Sequence, residues 1–222
     1  MTRRAAPLSV LLGNDSEALD ILIEMHAPTL PPRILDVTYN TGKIWAHCQF
    51  ADFVWRADIT KYDTHVRAAF EALPFAAGTF NVVVFDPPHL PTAAASPHSS
   101  GIWRDRYGIT ATGPGREGDN VNGMFAPFLA EARRVLVPDG IVLAKIADIV
   151  HNHRYQWQQV AFVEAVRDAG MTPCDCLVKR APAGGRLQSG RWQTVKHLKR
   201  CHSYWIVARN SARCEGHHEA NR

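Results

Sequence analysis

The chain of 222 residues is 46% hydrophobic and 21% charged, which suits one globular α/β-sized domain and excludes a disordered or fibrous polypeptide. No apolar run approaches the ~20 residues of a membrane-spanning helix. The short N-terminal apolar patch is interrupted at Asn14-Asp15-Ser16-Glu17, too early for a secretory signal, so a cytoplasmic protein with no membrane partner is expected. A formal net charge of +4 with eleven histidines permits a polyanionic partner without requiring one.

In chain order, residues 1–14 read as an irregular arm, followed by a helix capped by Asp15 or Ser16 and running through Met25. Its apolar face is Ala18, Leu19, Ile21, Leu22 and Met25. Pro28, Pro31 and Pro32 end it. Ile34-Leu35-Asp36-Val37 is a first buried strand, then the tight loop Thr38-Tyr39-Asn40-Thr41-Gly42 and a helix beginning near Lys43. Strand, acid, tight loop and helix are the order in which a nucleotide-like cofactor meets a helix N-terminus. Asn40 tolerates the positive φ that such a turn needs. Phe53–Ala57 is a second strand ending at Asp58, which is either a holder of ribose hydroxyls or an exposed loop acid beside Asp63.

The most informative stretch is Asn81–Leu90, NVVVFDPPHL. Val82–Phe85 is the apolar run of a strand buried on both faces. Pro87 and Pro88 cannot continue it, so the chain leaves the sheet with Asp86 and His89 at the strand's carboxyl end, where open α/β sheets bind ligands. Residues 90–123 form a long loop whose Arg104, Arg106 and Tyr107 suit phosphate contact and base stacking. A helix over Met124–Val135 follows, then a strand over Ile141–Ile146 with Lys145 and Asp148 at its end. Next come a helix over Tyr155–Ala169 closed by Gly170, a strand over Met171–Arg180, a glycine-rich excursion, and a closing strand over Ser203–Arg209. About seven strands and five helices alternate, which predicts a mostly parallel sheet covered on both faces.

Lys179–Arg200 carries seven lysines and arginines and no acid. The five cysteines lack the spacing of a disulfide framework, so reduced thiols and no metal are expected; a zinc site at Cys214, His217 and His218 is the alternative.

Asp86-Pro87-Pro88-His89 resembles the DPPY-type signature of the amino-methyltransferases, in particular small phage and bacterial DNA methylases. Four further stretches extend the resemblance over most of residues 33–209: Asp36–Gly42 as the S-adenosylmethionine loop, Leu73-Pro74-Phe75 with Gly78 before the catalytic strand, Arg133–Gly140 after it, and the basic Lys196–Trp205 segment that contains His202-Ser203-Tyr204. It implies a Rossmann-like class I methyltransferase fold in residues 33–209, with 1–32 an arm and helix packed on the core. Residues 90–123 would be a substrate-facing insertion, 181–202 a basic loop and 210–222 a disordered tail. It implies S-adenosylmethionine as cofactor, bound by Asp36, Thr38, Asn40, Gly42, Asp58, Phe70 and Asp86. The substrate implied is an exocyclic amine of a base, adenine in DNA first. Asp86 and the Pro87 carbonyl would accept the amine protons, with Pro88 stiffening the turn and His89 stacking on the flipped base. Arg104, Arg106, Tyr107, Lys196, Lys199, Arg200 and Tyr204 would contact nucleic acid. Two alternatives stand: an RNA base amino-methyltransferase, or a silent nucleic-acid-binding protein on this scaffold, which the departures Asn40, Ala69 and His89 would favour.

Overall fold

The computed structural model describes residues 7–59, 63–88, 121–151, 154–180, 197–198 and 200–211. In chain order these form β1 (Val10–Leu12), α1 (Asp15–His26), β2 (Ile34–Asp36), β3 (Val54–Asp58), β4 (Val66–Arg67), β5 (Phe80–Phe85) and α2 (Phe125–Val135). They continue as β6 (Leu136–Ile146), β7 (Ile149–His151), β8 (Arg154–Gln156), α3 (Gln158–Asp168), β9 (Thr172–Arg180) and β10 (His202–Arg209). Eight strands make one sheet in the order β1-β9-β10-β6-β5-β2-β3-β4, and β7 pairs with β8 in a separate hairpin. Within the sheet β10 alone runs against its neighbours, β6 and β9; the other pairs are parallel.

The period of two along each strand divides the core between two faces. Val83 and Phe85 of β5, with Val142, Ala144 and Ile146 of β6, point to the side covered by α2 and α3. Val82 and Val84, with Ile141 and Leu143, point to the side covered by α1, where Ala18, Leu19, Leu22 and Ile23 meet Ile44 and Trp45. All six residues of β5 are buried, as its unbroken apolar run requires.

The elements depart from expectation in several places. Asn14, not Asp15 or Ser16, caps α1: its side chain accepts the Glu17 N–H at 3.0 Å. Ser16 is turned inward, donating to the Ile44 carbonyl at 2.8 Å and accepting from His47 N–H. No α-helix begins at Lys43; the segment has short 3-10 turns at Lys43–Trp45 and Ala51–Phe53. Its apolar residues Ile44, Trp45, Cys48 and Phe50 all anchor into the core, at a spacing that no single helix face supplies, and Ser16 and Asp20 take its N–H groups. Tyr155 belongs to the β7–β8 hairpin rather than to α3. The arm contributes an edge strand, β1, paired with β9. Three α-helices lie among the described residues where five were expected. Cys48, Cys174, Cys176 and Cys201 are free thiols; Cys214, His217 and His218 lie outside the described residues. No helix among them is long and apolar enough to cross a membrane.

The ring of Phe85 stacks on Phe128 of α2 with centroids 3.9 Å apart and planes 9° from parallel, under the carboxyl end of β5. Truncating Phe128 to Ala removes this wholly buried contact, and urea melts should show a loss of about 3–5 kcal/mol.

Candidate functional site

Of three neighbouring strands, β2 and β3 end in an aspartate and β5 is followed directly by one. The alternation along each strand sends Asp86, Asp36 and Asp58 to the same face of the sheet, the one α1 covers. Pairing sets their depths. Asp36 lies opposite Val84 on one side and Arg56 on the other, so it sits two residues, about 7 Å, below Asp86 and Asp58. Asp36 is accordingly 0% exposed, Asp58 is 6% exposed, and Asp86 alone is partly open, its side chain 21% exposed.

Each carboxylate has its own compensation. Asp36 accepts the Trp45 indole N–H at 2.6 Å and the Thr38 backbone N–H at 2.9 Å. Burial nevertheless pushes its pKa up to about 7, against these two hydrogen bonds and with help from the charges of Asp86 and Asp58. Asp58 accepts the Asn40 N–H at 2.8 Å. Asp86 pairs through Oδ2 with the Lys145 ammonium at 3.2 Å, and its backbone N–H donates to the Thr38 hydroxyl at 2.8 Å. That hydroxyl lies 3.4 Å from Asp36 Oδ1, so Thr38 links the two strand ends.

The loop from Val37 to Gly42 is tied to the strands on either side. Val37 N–H donates to Val84 O, Tyr39 N–H to Ala57 O, and Gly42 N–H to Tyr39 O. Asn40 takes φ 51° and Gly42 φ 67°, so Asn40 supplies the left-handed turn that glycine would otherwise provide. A Cβ on Gly42 would collide with the Tyr39 ring. Phe70 is half-buried, its ring edge-on to Phe85 at 5.4 Å and to Phe128 at 6.3 Å. Asp86, Pro87, Asp36, Thr38, Asn40, Gly42, Asp58 and Phe70 are thus gathered at the carboxyl ends of β5, β2 and β3, with Pro88 following Pro87.

A second group lies beyond the end of β6. Tyr204 of β10 pairs opposite Ile146, and β7–β8 follows immediately. Tyr155 donates to Asp148 at 3.0 Å, which with burial pushes its phenol up to about 12. Asp148 also accepts the Gln159 N–H, anchoring the first turn of α3. The Arg200 guanidinium stands 5.9 Å over the Tyr155 ring, and Trp157 packs 4.6 Å from it while remaining 62% exposed. His202 and Tyr204 are hydrogen-bonded at 3.0 Å. Burial and the charge of Asp148 also raise the Tyr204 pKa, so both phenols stay neutral. His89, Arg104, Arg106, Tyr107, Lys196 and Lys199 lie outside the described residues.

No family model matches the sequence, and no curated protein does. Solved structures do match. A candidate methyltransferase from Bacillus halodurans, 17% identical, aligns over 88% of this chain and 99% of its own with a TM-score of 0.50. The (4+2) cyclase SpnF, 13% identical, aligns over 87% of this chain and 80% of its own with a TM-score of 0.51. A candidate DNA modification methylase from Thermus thermophilus matches more loosely, at 13% identity and a TM-score of 0.39, over 67% of this chain. The chain spans 51% of that protein's length. The fold is that of the class I methyltransferases.

Within this methyltransferase fold, three features escaped the sequence reading. Thr38 joins two strand ends. Lys145 bridges Asp86 to Asp15. Tyr155 and Trp157 form an aromatic ledge with Arg200. Lys145 left a signal, because a lysine inside Ile141–Ile146 falls on the buried side of the strand and must have a counter-charge. The other two depend on pairings between distant segments.

Asp36 makes stability depend on pH. Between its ordinary value of 3.8 and about 7, the folded protein holds a proton that the unfolded chain has released. Its contribution is fully present below 3.8 and lost as pH rises through about 7. Asp36→Asn cannot titrate, so the stability of wild type relative to this variant should fall across that window and level off above it. Urea melts over a pH series measure the difference; a pH-independent difference would mean that Asp36 is ionised throughout.

Proposed function

We propose that the chain is an S-adenosylmethionine-dependent methyltransferase acting on an exocyclic amine of a nucleic-acid base, with adenine in DNA the first candidate. The observation that carries the reading is Asp86: a carboxylate at the end of the fully buried strand, fixed by Lys145 and Thr38, immediately before Pro87-Pro88.

The residues present fit the cofactor. A dinucleotide needs unpaired loop N–H groups for its pyrophosphate, but here those of Val37, Thr38, Tyr39, Asn40 and Gly42 are already bonded. The acids Asp86 and Asp58 at the strand ends, without those loop N–H groups free beside them, favour a ligand that is cationic and free of phosphate, as a sulfonium amino acid is. Asp58 at the carboxyl end of β3 would take the ribose hydroxyls, and the backbone at Phe70 the adenine. When bound, the cofactor supplies an electrophilic methyl group.

The protein's own part is to make a poor nucleophile adequate. An aryl amine delocalises its lone pair into the ring. In the proposed mechanism the Asp86 carboxylate and the Pro87 carbonyl accept its two protons, freeing the lone pair. Positive charge develops on nitrogen during transfer, so the Asp86 anion stabilises the transition state more than the ground state. His89 would stack on the base. The Arg200, Tyr155 and Trp157 ledge, with Tyr204, offers a cation and π-faces to the adjoining strand. A cysteine-nucleophile route finds no support: Cys174 is exposed near the start of β9, at the opposite edge of the sheet from Asp86. Of the departures that favoured a silent scaffold, Asn40 keeps the turn geometry of the loop. RNA remains the second substrate to test.

Labelled cofactor incubated separately with unmethylated DNA and with RNA, followed by identification of the modified nucleoside, tests the reading directly. Asp86→Asn should lower single-turnover transfer by at least ~100-fold while leaving cofactor affinity and melting temperature near wild type. Near-normal turnover in that variant would sink the mechanism.

The ledge makes a separate prediction. Trp157→Ala should weaken binding of a single-stranded oligonucleotide by about 10-fold or more, in line with ~1–3 kcal/mol per stacked base. Arg200→Ala should flatten the salt dependence by about one contact. Fluorescence titrations at several salt concentrations read both, and unchanged affinities would remove the ledge from the binding surface.

A further inference from the structure

On the α1 side of the sheet, charges alternate in an unbroken row. The Lys145 ammonium, on a side chain only 14% exposed, lies 3.2 Å from Asp86 and 3.1 Å from Asp15. Asp15 in turn lies 3.0 Å from the Lys179 ammonium and accepts the Trp205 indole N–H at 3.1 Å. Five chain segments that are far apart in sequence meet here, and the pleat explains why. Lys145 follows Leu143, Lys179 follows Leu177, and Trp205 lies between Tyr204 and Ile206, so all three side chains face α1. Asp15 opens α1 at the same edge.

We infer that Lys145 is the positioning residue for Asp86, keeping it an oriented anion at the reaction centre, and that Asp15 at the start of α1 anchors Lys145 in that place. The inference rests on the proposed role of Asp86. Asp86 is faced by Lys145 of β6, with Lys179 of β9 and Asp15 of α1 behind it, and by Asp36 of β2, with Asp58 of β3 one strand further off. Asp86 and Asp36 act on one another as like charges when both are ionised, and that repulsion drives protonation. A protonated Asp86 would lose its attraction for the developing cation. Lys145 opposes that. Burial alone would lower the lysine's own pKa, but Asp86 and Asp15 outweigh burial and raise it, so the ammonium stays charged. Its Asp15 contact fixes the side chain from behind, so Asp86 Oδ2 is held at one position rather than turning freely about χ1.

The direct test needs neither cofactor nor nucleic acid. Carboxyl-carbon NMR of aspartate-labelled protein, with the Asp86 signal assigned by its loss in Asp86→Asn, follows that carboxyl through a pH titration. Lys145→Gln should raise the Asp86 midpoint by at least about one pH unit relative to wild type, and Lys145→Arg should restore it. Should Lys145→Gln fold poorly, Lys145→Gln combined with Asp15→Asn keeps the local charge balanced and should still raise the midpoint. An Asp86 midpoint that does not move in these variants overturns the inference even if the wild type methylates its substrate. In methyl-transfer assays, the acid limb of kcat should move to higher pH in Lys145→Gln by the same interval, with KM for the nucleic acid unchanged. A residue that merely supports the fold would lower activity equally at every pH, and that result overturns the positioning role. A shifted midpoint in a protein that methylates neither DNA nor RNA supports the Lys145–Asp86 coupling and overturns the proposed function alone.

Discussion

Three carboxylates forced to one face of a sheet at the ends of adjacent parallel strands set the central electrostatic constraint of this molecule. Removing an ion from water costs several kcal/mol even after relaxation, and like charges nearby add to that cost. The structure resolves the problem differently for each acid. The deepest, Asp36, sheds its charge near neutrality. Asp58 accepts a loop N–H, and Asp86 receives a lysine. These separate solutions make the acids unequal, and only unequal acids can take separate roles in a site.

The compensating groups also tie the site to the rest of the fold. Lys145 reaches Asp86 because the parallel β5–β6 pairing sets Phe85 opposite Ala144, one residue short of both. Antiparallel β10 returns Trp205 opposite Lys145, and β9 adds Lys179. The anion that balances these donors comes from α1, a helix that packs across the opposite half of the chain. Removing one member would leave a poorly solvated charge without its partner, which costs more than the net worth of the pair. The row is therefore better understood as fixing geometry than as adding stability.

Much of this was legible in the sequence. The unbroken apolar run of β5 and its Asp-Pro-Pro stop determine where the chain leaves the sheet, so Asp86 could be placed from residues alone. Asp36 and Asp58 were recognisable as strand ends. Their inequality was not, because it arises from the two-residue offset in the pairing of β2 with its neighbours, and register is a property of three strands together. The expected helix after Gly42 failed for a related reason. Ile44, Trp45, Cys48 and Phe50 are apolar because α1 covers them, and local periodicity cannot separate that from an amphipathic helix face. Tyr155 was assigned to a helix because its neighbours have helical spacing; its hydrogen bond to Asp148 and its pairing across β7–β8 hold it in a hairpin instead.

Fold alone does not determine chemistry here. The same architecture aligns comparably with a candidate methyltransferase and with a (4+2) cyclase, so a functional argument must rest on the groups at the carboxyl edge. Two of them discriminate. A loop whose N–H groups are spent on neighbouring strands has little left for a pyrophosphate, which turns the reading away from dinucleotide chemistry. A partly exposed carboxylate paired with a buried lysine, as Asp86 is with Lys145, offers an anion to a ligand at the strand end. A reaction that builds negative charge would place its donors, not an anion, at that point. An anion at the edge is compatible with the proposed transfer to a base amine, in which the nitrogen becomes cationic.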